Sequence, residues 1–274
     1  MAVSALACQR CGAQVLAGAA FCQNCGATLD VTRAQTDRMP WTPADVLKAI
    51  GIVVAVLIGT SIPASISALV IAGNEDIEKD SLALTVALAA SVFLEIGLLA
   101  AAIYFSIRKY RLPWSALGLR WPQQGGVWTT AGLVFGLLIA GLVVSFAYFG
   151  ALAVVGIEPD TEIKETYQSA GPLIVLAMLS LFFAPFAEEV FFRGFVFGGL
   201  RGRWGTAWAA VASGALFALA HIGNPGTIYL LPPVAAIGAL FALGYAYSGS
   251  ILTSLLAHFL FNLFALGAGI AEYS

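Results

Sequence analysis

Seven stretches of this 274-residue chain are apolar for long enough to cross a bilayer, and this narrows the open folds more than any motif does. They run over residues 46–72, 82–107, 127–156, 172–200, 206–221, 228–247 and 251–270. The fifth is the shortest. A backbone in hydrocarbon has no water to bond, so each segment must satisfy its own N–H and C=O groups, which selects helices. Hydrophobic residues make up 60% of the chain and charged residues 10%, against roughly 45–50% and about 25% in a soluble domain. The expected fold class is all-α, a polytopic membrane protein with about seven transmembrane helices in residues 44–274.

Charge sets the expected orientation. Arg10, Arg33, Arg38 and Lys48 precede or open the first segment, Arg108, Lys109, Arg111 and Arg120 follow the second, and Arg201 and Arg203 follow the fourth. The alternate loops hold only Lys79 and Lys164. Ten basic residues against two predict a cytoplasmic N-terminus, and an odd number of crossings then predicts an extracytoplasmic C-terminus. The first forty residues show no basic leader, apolar core and small-residue cleavage site in sequence, so the first helix is expected to act as the insertion signal. A net charge of −2 without a basic cluster excludes a phosphate-tracking surface, and so a nucleic-acid partner.

All four cysteines lie in the first twenty-five residues, as Cys8-x2-Cys11-Gly12 and Cys22-x2-Cys25-Gly26. Paired knuckles of this form suit tetrahedral zinc, each offering two thiolates with a glycine for the turn behind them. Two disulfides are the alternative, disfavoured in a reducing cytoplasm. A segment so short lacks the core to fold without a staple, so residues 1–29 are expected to form a zinc ribbon around a structural zinc ion. With all four metal positions filled, its role would be structural or that of an adaptor for a cytoplasmic partner. Residues 30–43, polar and proline-punctuated, read as a linker.

Ionisable groups at membrane depth are costly and mark function by default. Here they concentrate in Glu188-Glu189-x3-Arg193, in Phe217-x3-His221 and in His258-x3-Asn262, which include both histidines of the chain. At 3.6 residues per turn, Glu189 and Arg193 share a helix face and are expected to pair, each offsetting the other's burial. Glu188 points about 100° away and stays free for chemistry. The bland reading, an ion-paired helix end at the membrane surface, has to be weighed against the two downstream motifs. Glu95, a further intramembrane acid, is expected to partner Arg193 or another polar group. Pro185 is expected to loosen the fourth helix.

A glutamate and an imidazole can together deprotonate water, and a second imidazole beside an amide can donate to the oxyanion formed when that water attacks a carbonyl. That is peptide hydrolysis. No GxSxG nucleophile setting and no HExxH sequence occurs.

The three motifs, in this order on successive apolar segments, resemble those of the CAAX protease and bacteriocin-processing (CPBP, Abi-type) family of intramembrane endopeptidases, over about residues 128–268. The resemblance implies that Glu188 and His221 activate the water, that His258 and Asn262 serve the oxyanion, and that Glu189 and Arg193 support them. It implies a peptide or membrane-protein substrate met in the lipid bilayer and, with the ribbon, a bacterial cell membrane. Zinc held by Glu188, His221 and His258 stays open as an alternative, although the reading leans to no catalytic metal. A non-catalytic membrane scaffold or bacteriocin-immunity-type binding protein is the other function class. A transporter is weaker, since matched broken helices in inverted halves are not evident.

Overall fold

The computed structural model describes residues 6–7, 11–15, 22, 24–27, 39–73, 76–122, 126–159, 164–222 and 225–273. It divides into two compact units, Met1–Met39 and Pro40–Ser274. Most of the expected linker, and Cys8, lie outside the described residues. In the first unit β1 (Leu6–Ala7) pairs antiparallel with β2 (Gln14–Val15), Leu6 opposite Val15. Gly12 and Gly26, which close the two knuckles, have φ of +72° and +67°, a region that side-chain-bearing residues avoid.

The second unit is helical. Helix α1 (Pro43–Ala72) starts at a capping box, where Thr42 accepts from the Asp45 N–H and Asp45 accepts from the Thr42 N–H, with proline at its first position. Helices α2 (Ser81–Ala90) and α3 (Val92–Ile103) run on through a π-helical turn, Tyr104–Arg108. Helix α4 spans Gly126–Val154, and the short α5 (Glu165–Gln168) leads into α6 (Ala170–Met178). A π-helical turn (Leu179–Phe183), α7 (Ala184–Glu188), a nine-residue π-helical stretch (Glu189–Phe197) and α8 (Gly198–Leu219) follow without interruption. Helices α9 (Leu231–Ser248) and α10 (Ile251–Tyr273) complete the unit.

Six helical stretches among the described residues are long and apolar enough to cross a membrane, and one of them, Ala170–Leu219, has 50 residues. Straight, it would reach ~75 Å, more than twice a hydrocarbon core of ~30 Å. It does not run straight. Gly205, at φ 76° and ψ 166°, breaks it into two helices, so the six stretches make about seven crossings. The chain is an all-α polytopic membrane protein.

Cross-links gather the basic loops at one end of the bundle. Lys109 Nζ reaches Asp45 Oδ1 at 2.5 Å and the Tyr110 hydroxyl donates to Asp45 Oδ2 at 2.7 Å, joining the end of the second crossing to the start of α1. Arg203 donates to the Trp41 carbonyl at 3.0 Å, joining the bend at Gly205 to the same place. Arg120 donates to the Gly249 carbonyl at 2.8 Å, and the Ile251 N–H to the Gly118 carbonyl at 3.0 Å. The Asp45 carboxylate holds the Lys109 ammonium above the usual lysine range.

The outer helices carry their large apolar side chains outward, as Ile58, Ile62, Ile66 and Leu69 on α1 and Phe135, Ile139, Val143 and Phe146 on α4. Lipid is the solvent for these faces. Inside lies the π-helical stretch, all nine of whose residues are buried. Trp41 is fully buried beside it, donating from Nε1 to the Phe195 carbonyl at 2.8 Å and stacking on the Phe195 ring at 5.8 Å. Gly194 faces the 3₁₀ turn Trp114–Leu117 so closely that a Cβ there would stand 2.5 Å from the Leu117 carbonyl oxygen.

Backbone cannot yield as a flexible side chain does. Gly194→Ala is therefore expected to cost about 1–3 kcal/mol, read as a lowered unfolding midpoint in detergent. Gly132→Ala, whose Cβ would meet nothing within 4 Å on α4, is expected to leave the midpoint nearly unchanged.

Candidate active site

The acid pair and its arginine do not sit on a regular α-helix. Residues Glu189–Phe197 are π-helical, with hydrogen bonds to the fifth residue rather than the fourth, so the 3.6-residue spacing used to sort their faces has to be corrected. Four positions still bring Glu189 and Arg193 together, with Arg193 Nη1 3.0 Å from Glu189 Oε1 and both side chains fully buried. The contact is a charge contact off the N–H axis, because Nη1 makes no hydrogen bond among the described residues. Two rings complete the arginine's surroundings. Its guanidinium carbon lies 4.3 Å from the Phe217 ring centroid and 5.3 Å from that of Phe241, and Nη2 donates to the Gly238 carbonyl at 3.4 Å. Desolvated cation–π contacts of this kind contribute about 2 kcal/mol.

Glu188 closes α7 just before the π-helical stretch and faces two imidazoles. Its Oε1 is 3.9 Å from His221 Nε2, and its Oε2 is 3.6 Å from His258 Nε2. Three helices supply the three groups, since His221 follows the end of α8 and His258 lies on α10. Each imidazole is oriented from behind. His221 Nδ1 donates to the Phe217 carbonyl at 2.8 Å. A carbonyl only accepts, so in the neutral ring the lone pair is on Nε2, toward Glu188. His258 Nδ1 lies 3.1 Å from Glu189 Oε1, an acceptor whose charge is matched by Arg193. The hydrogen is thus on His258 Nδ1, and its Nε2 donates only when the ring is the imidazolium.

Asn262 stands one turn beyond His258 on α10. Its Nδ2 donates to the Ser180 carbonyl in the π-helical turn Leu179–Phe183 at 2.7 Å, which fixes the amide and occupies one of its two N–H groups. The π turn just ahead of Pro185 exposes that carbonyl, consistent with a proline that has no N–H to offer. Among the described ion pairs Arg193 is on Glu189, not on Glu95. Phe241, Gly238 and Ser180 escaped sequence reasoning. Each acts through a ring face or a carbonyl and carries no motif signal of its own.

In the first unit, the sulfurs of Cys11, Cys22 and Cys25 lie within 4.8 Å of one another. Cys11 Sγ and Cys22 Sγ are 3.7 Å apart, far beyond a disulfide's ~2.05 Å and close to the ~3.8 Å that a tetrahedron of thiolates around zinc requires. The donor set fits a structural zinc ion. The Cys11 thiol is pulled down to about 6 by hydrogen bonds from the Ala13 backbone and then the Asn24 side chain, so it is thiolate near neutrality.

Fold and interior together define a polytopic helical membrane protein with a buried carboxylate held between two oriented imidazoles. Residues 170–264 match the model of the type II CAAX prenyl endopeptidase Rce1-like family, and residues 8–29 match that of a zinc-ribbon domain. The chain is thus similar to the Rce1-like family over residues 170–264 and to a zinc ribbon over residues 8–29. No curated protein and no solved structure matches it.

Removing either member of the buried pair strands the other. Glu189→Gln and Arg193→Met singly are each expected to destabilise by about 3–5 kcal/mol, whereas the double variant should cost less than the two singles together. Thermal unfolding of all four proteins in one detergent measures the coupling.

Proposed function

We propose that this protein is an intramembrane endopeptidase that hydrolyses a peptide bond in a membrane-associated peptide or protein through a water activated by Glu188 and His221. The observation that carries the reading is the 3.9 Å gap between Glu188 Oε1 and His221 Nε2. Both atoms are acceptors, too far apart to bond each other and well spaced for one water to donate a hydrogen to each. The water's lone pair is then free to attack a carbonyl.

As the new C–O bond forms, one water proton passes to Glu188 or His221, and the carbonyl oxygen becomes an oxyanion. His258, held from behind by the Glu189 carboxylate at Nδ1, donates from Nε2 once that nitrogen carries a hydrogen, and the uncommitted N–H of Asn262 donates beside it. When the C–N bond breaks, the proton taken from water goes to the departing amine. Glu189 and Arg193 touch no reacting atom and hold His258 in place. This sequence needs no metal at Glu188, His221 and His258.

In this reading residues 44–274 form the membrane domain in a cell membrane, with its catalytic core at about 128–268. Residues 1–29 form a ribbon carrying structural zinc, joined by a linker at 30–43. The basic loops gathered at one end of the bundle face the cytoplasm, as does the N-terminus, and the ribbon is available there to a protein partner.

Glu188→Gln keeps the shape of the side chain but removes its basicity, and is expected to lower turnover by about a hundredfold or more. Comparative terminal proteomics of membranes expressing wild type or this variant reads it as new peptide termini that depend on Glu188. An identical set of termini in both would sink the protease reading in favour of a non-catalytic scaffold.

For the ribbon, elemental analysis is expected to find one zinc per chain, lost in the Cys11→Ser/Cys22→Ser double variant. A protein deleted of residues 1–29 is expected to keep cleaving in chelator. Inhibition by chelator with recovery on adding zinc would instead assign a metal to the membrane site.

A further inference from the structure

The interior site is closed toward one end of the bundle and open toward the other. Helix α8 is broken at Gly205, so its second leg runs over residues 206–219. At 1.5 Å per residue that leg climbs about 21 Å, short of a hydrocarbon core of ~30 Å, and any tilt shortens its reach. Helices α1 and α4, with 30 and 29 residues, each reach more than ~40 Å. The leg starts at the basic end, where Arg203 donates to the Trp41 carbonyl. Its other end, and His221 just beyond it, therefore stop below the opposite membrane surface.

At His221 the chain leaves the helix, the His221 N–H bonding back to the Ala218 carbonyl at 2.9 Å. Irregular backbone at membrane depth persists where protein buries it or where it lines water, and it is not found against lipid. Leu219 and Ile222, on either side of His221, are both exposed, so protein does not cover this turn and water must. The catalytic group is graded in the same direction. The His221 side chain is 34% exposed, that of Glu188 11% and that of His258 5%.

Toward the basic end the way is filled. The nine buried residues of Glu189–Phe197 lead from Glu188 to Arg201 and Arg203. Among them the Phe191 ring packs on those of Phe192 and Phe195 at 5.0 and 5.8 Å. Trp41 and Leu117, both fully buried, close over Phe195 and Gly194.

We propose that the membrane site opens at the end of the bundle opposite its basic loops and takes both its water and its substrate from the extracytoplasmic side. The inference rests on the proteolytic reading above and on basic loops that face the cytoplasm. Its substrates are then exported peptides or the outward segments of membrane proteins. A peptide bond presented from the cytoplasm would meet the packed rings instead.

The test places single cysteines in the full chain, as His221→Cys, as Leu219→Cys, which spares the catalytic group, and as Trp121→Cys, an exposed reference in the basic loop after the second crossing. Intact cells and inside-out vesicles are treated with a cationic, membrane-impermeant methanethiosulfonate. Peptide mass then locates the label and separates it from the four ribbon cysteines. His221→Cys and Leu219→Cys are expected to label about a hundredfold faster in intact cells than in inside-out vesicles, because hydrocarbon excludes a charged reagent. Trp121→Cys is expected to show the reverse.

The proposal is overturned if the two site positions label from the same side as Trp121→Cys, from both sides or from neither. Labelling of Trp121→Cys in intact cells would overturn the extracytoplasmic assignment. Termini that depend on Glu188 are expected in extracytoplasmic segments, and finding them only in cytoplasmic ones would also overturn it. Should wild type yield no such termini, the proteolytic reading falls, while the labelling still decides which end of the site is open.

Discussion

Arg193 is the charge around which the interior is organised. A guanidinium cannot shed its proton to escape burial as lysine can, and here it is fully buried in an apolar molecule. Everything near it answers that cost. Glu189 supplies the opposite charge, Phe217 and Phe241 supply ring faces, and Gly238 supplies a carbonyl. The same groups then have second contacts. The Phe217 carbonyl takes the His221 N–H and the Glu189 carboxylate faces His258, so the residues that neutralise the arginine also orient both imidazoles toward Glu188.

The π-helical stretch has a comparable double use. Opening the backbone to bonds with the fifth residue widens the helix, and the nine residues concerned are buried on every side. Such a segment must be held by its neighbours, because its own hydrogen bonding is poorer than that of an α-helix. Trp41 donates to the Phe195 carbonyl, the Ser213 hydroxyl donates to the Phe192 carbonyl at 2.8 Å, and the Leu117 turn closes over Gly194. These contacts come from distant parts of the chain, and they give Glu188 a rigid frame.

Much of the architecture was legible from the residues alone. The apolar segments, the break near Gly205 and the clustering of basic loops follow from hydropathy, helix length and charge counting, which depend on the solvent and hardly on packing. The spacing Glu189-x3-Arg193 predicted an ion pair, and it exists although the local helix is not the one assumed, since four residues bring side chains to neighbouring positions in both forms. Asn262 was less legible. Its amide is tied to the Ser180 carbonyl, a backbone partner eighty-two positions away that no side-chain pattern marks. Glu95 was visible as a costly acid expected to partner Arg193 or another polar group, and of these Arg193 is taken by Glu189.

By itself, then, the sequence determined that this chain is a membrane bundle with polar groups on three helices and a thiolate cluster in its first residues. Those properties follow from the transfer cost of each side chain and from the short-range spacing of motifs. Tertiary structure decided that the free acid, Glu188, stands between both imidazoles and what holds each ring from behind. Those choices turn on separations of 3–4 Å between residues far apart in the chain, and only the packing of helices brings such atoms together.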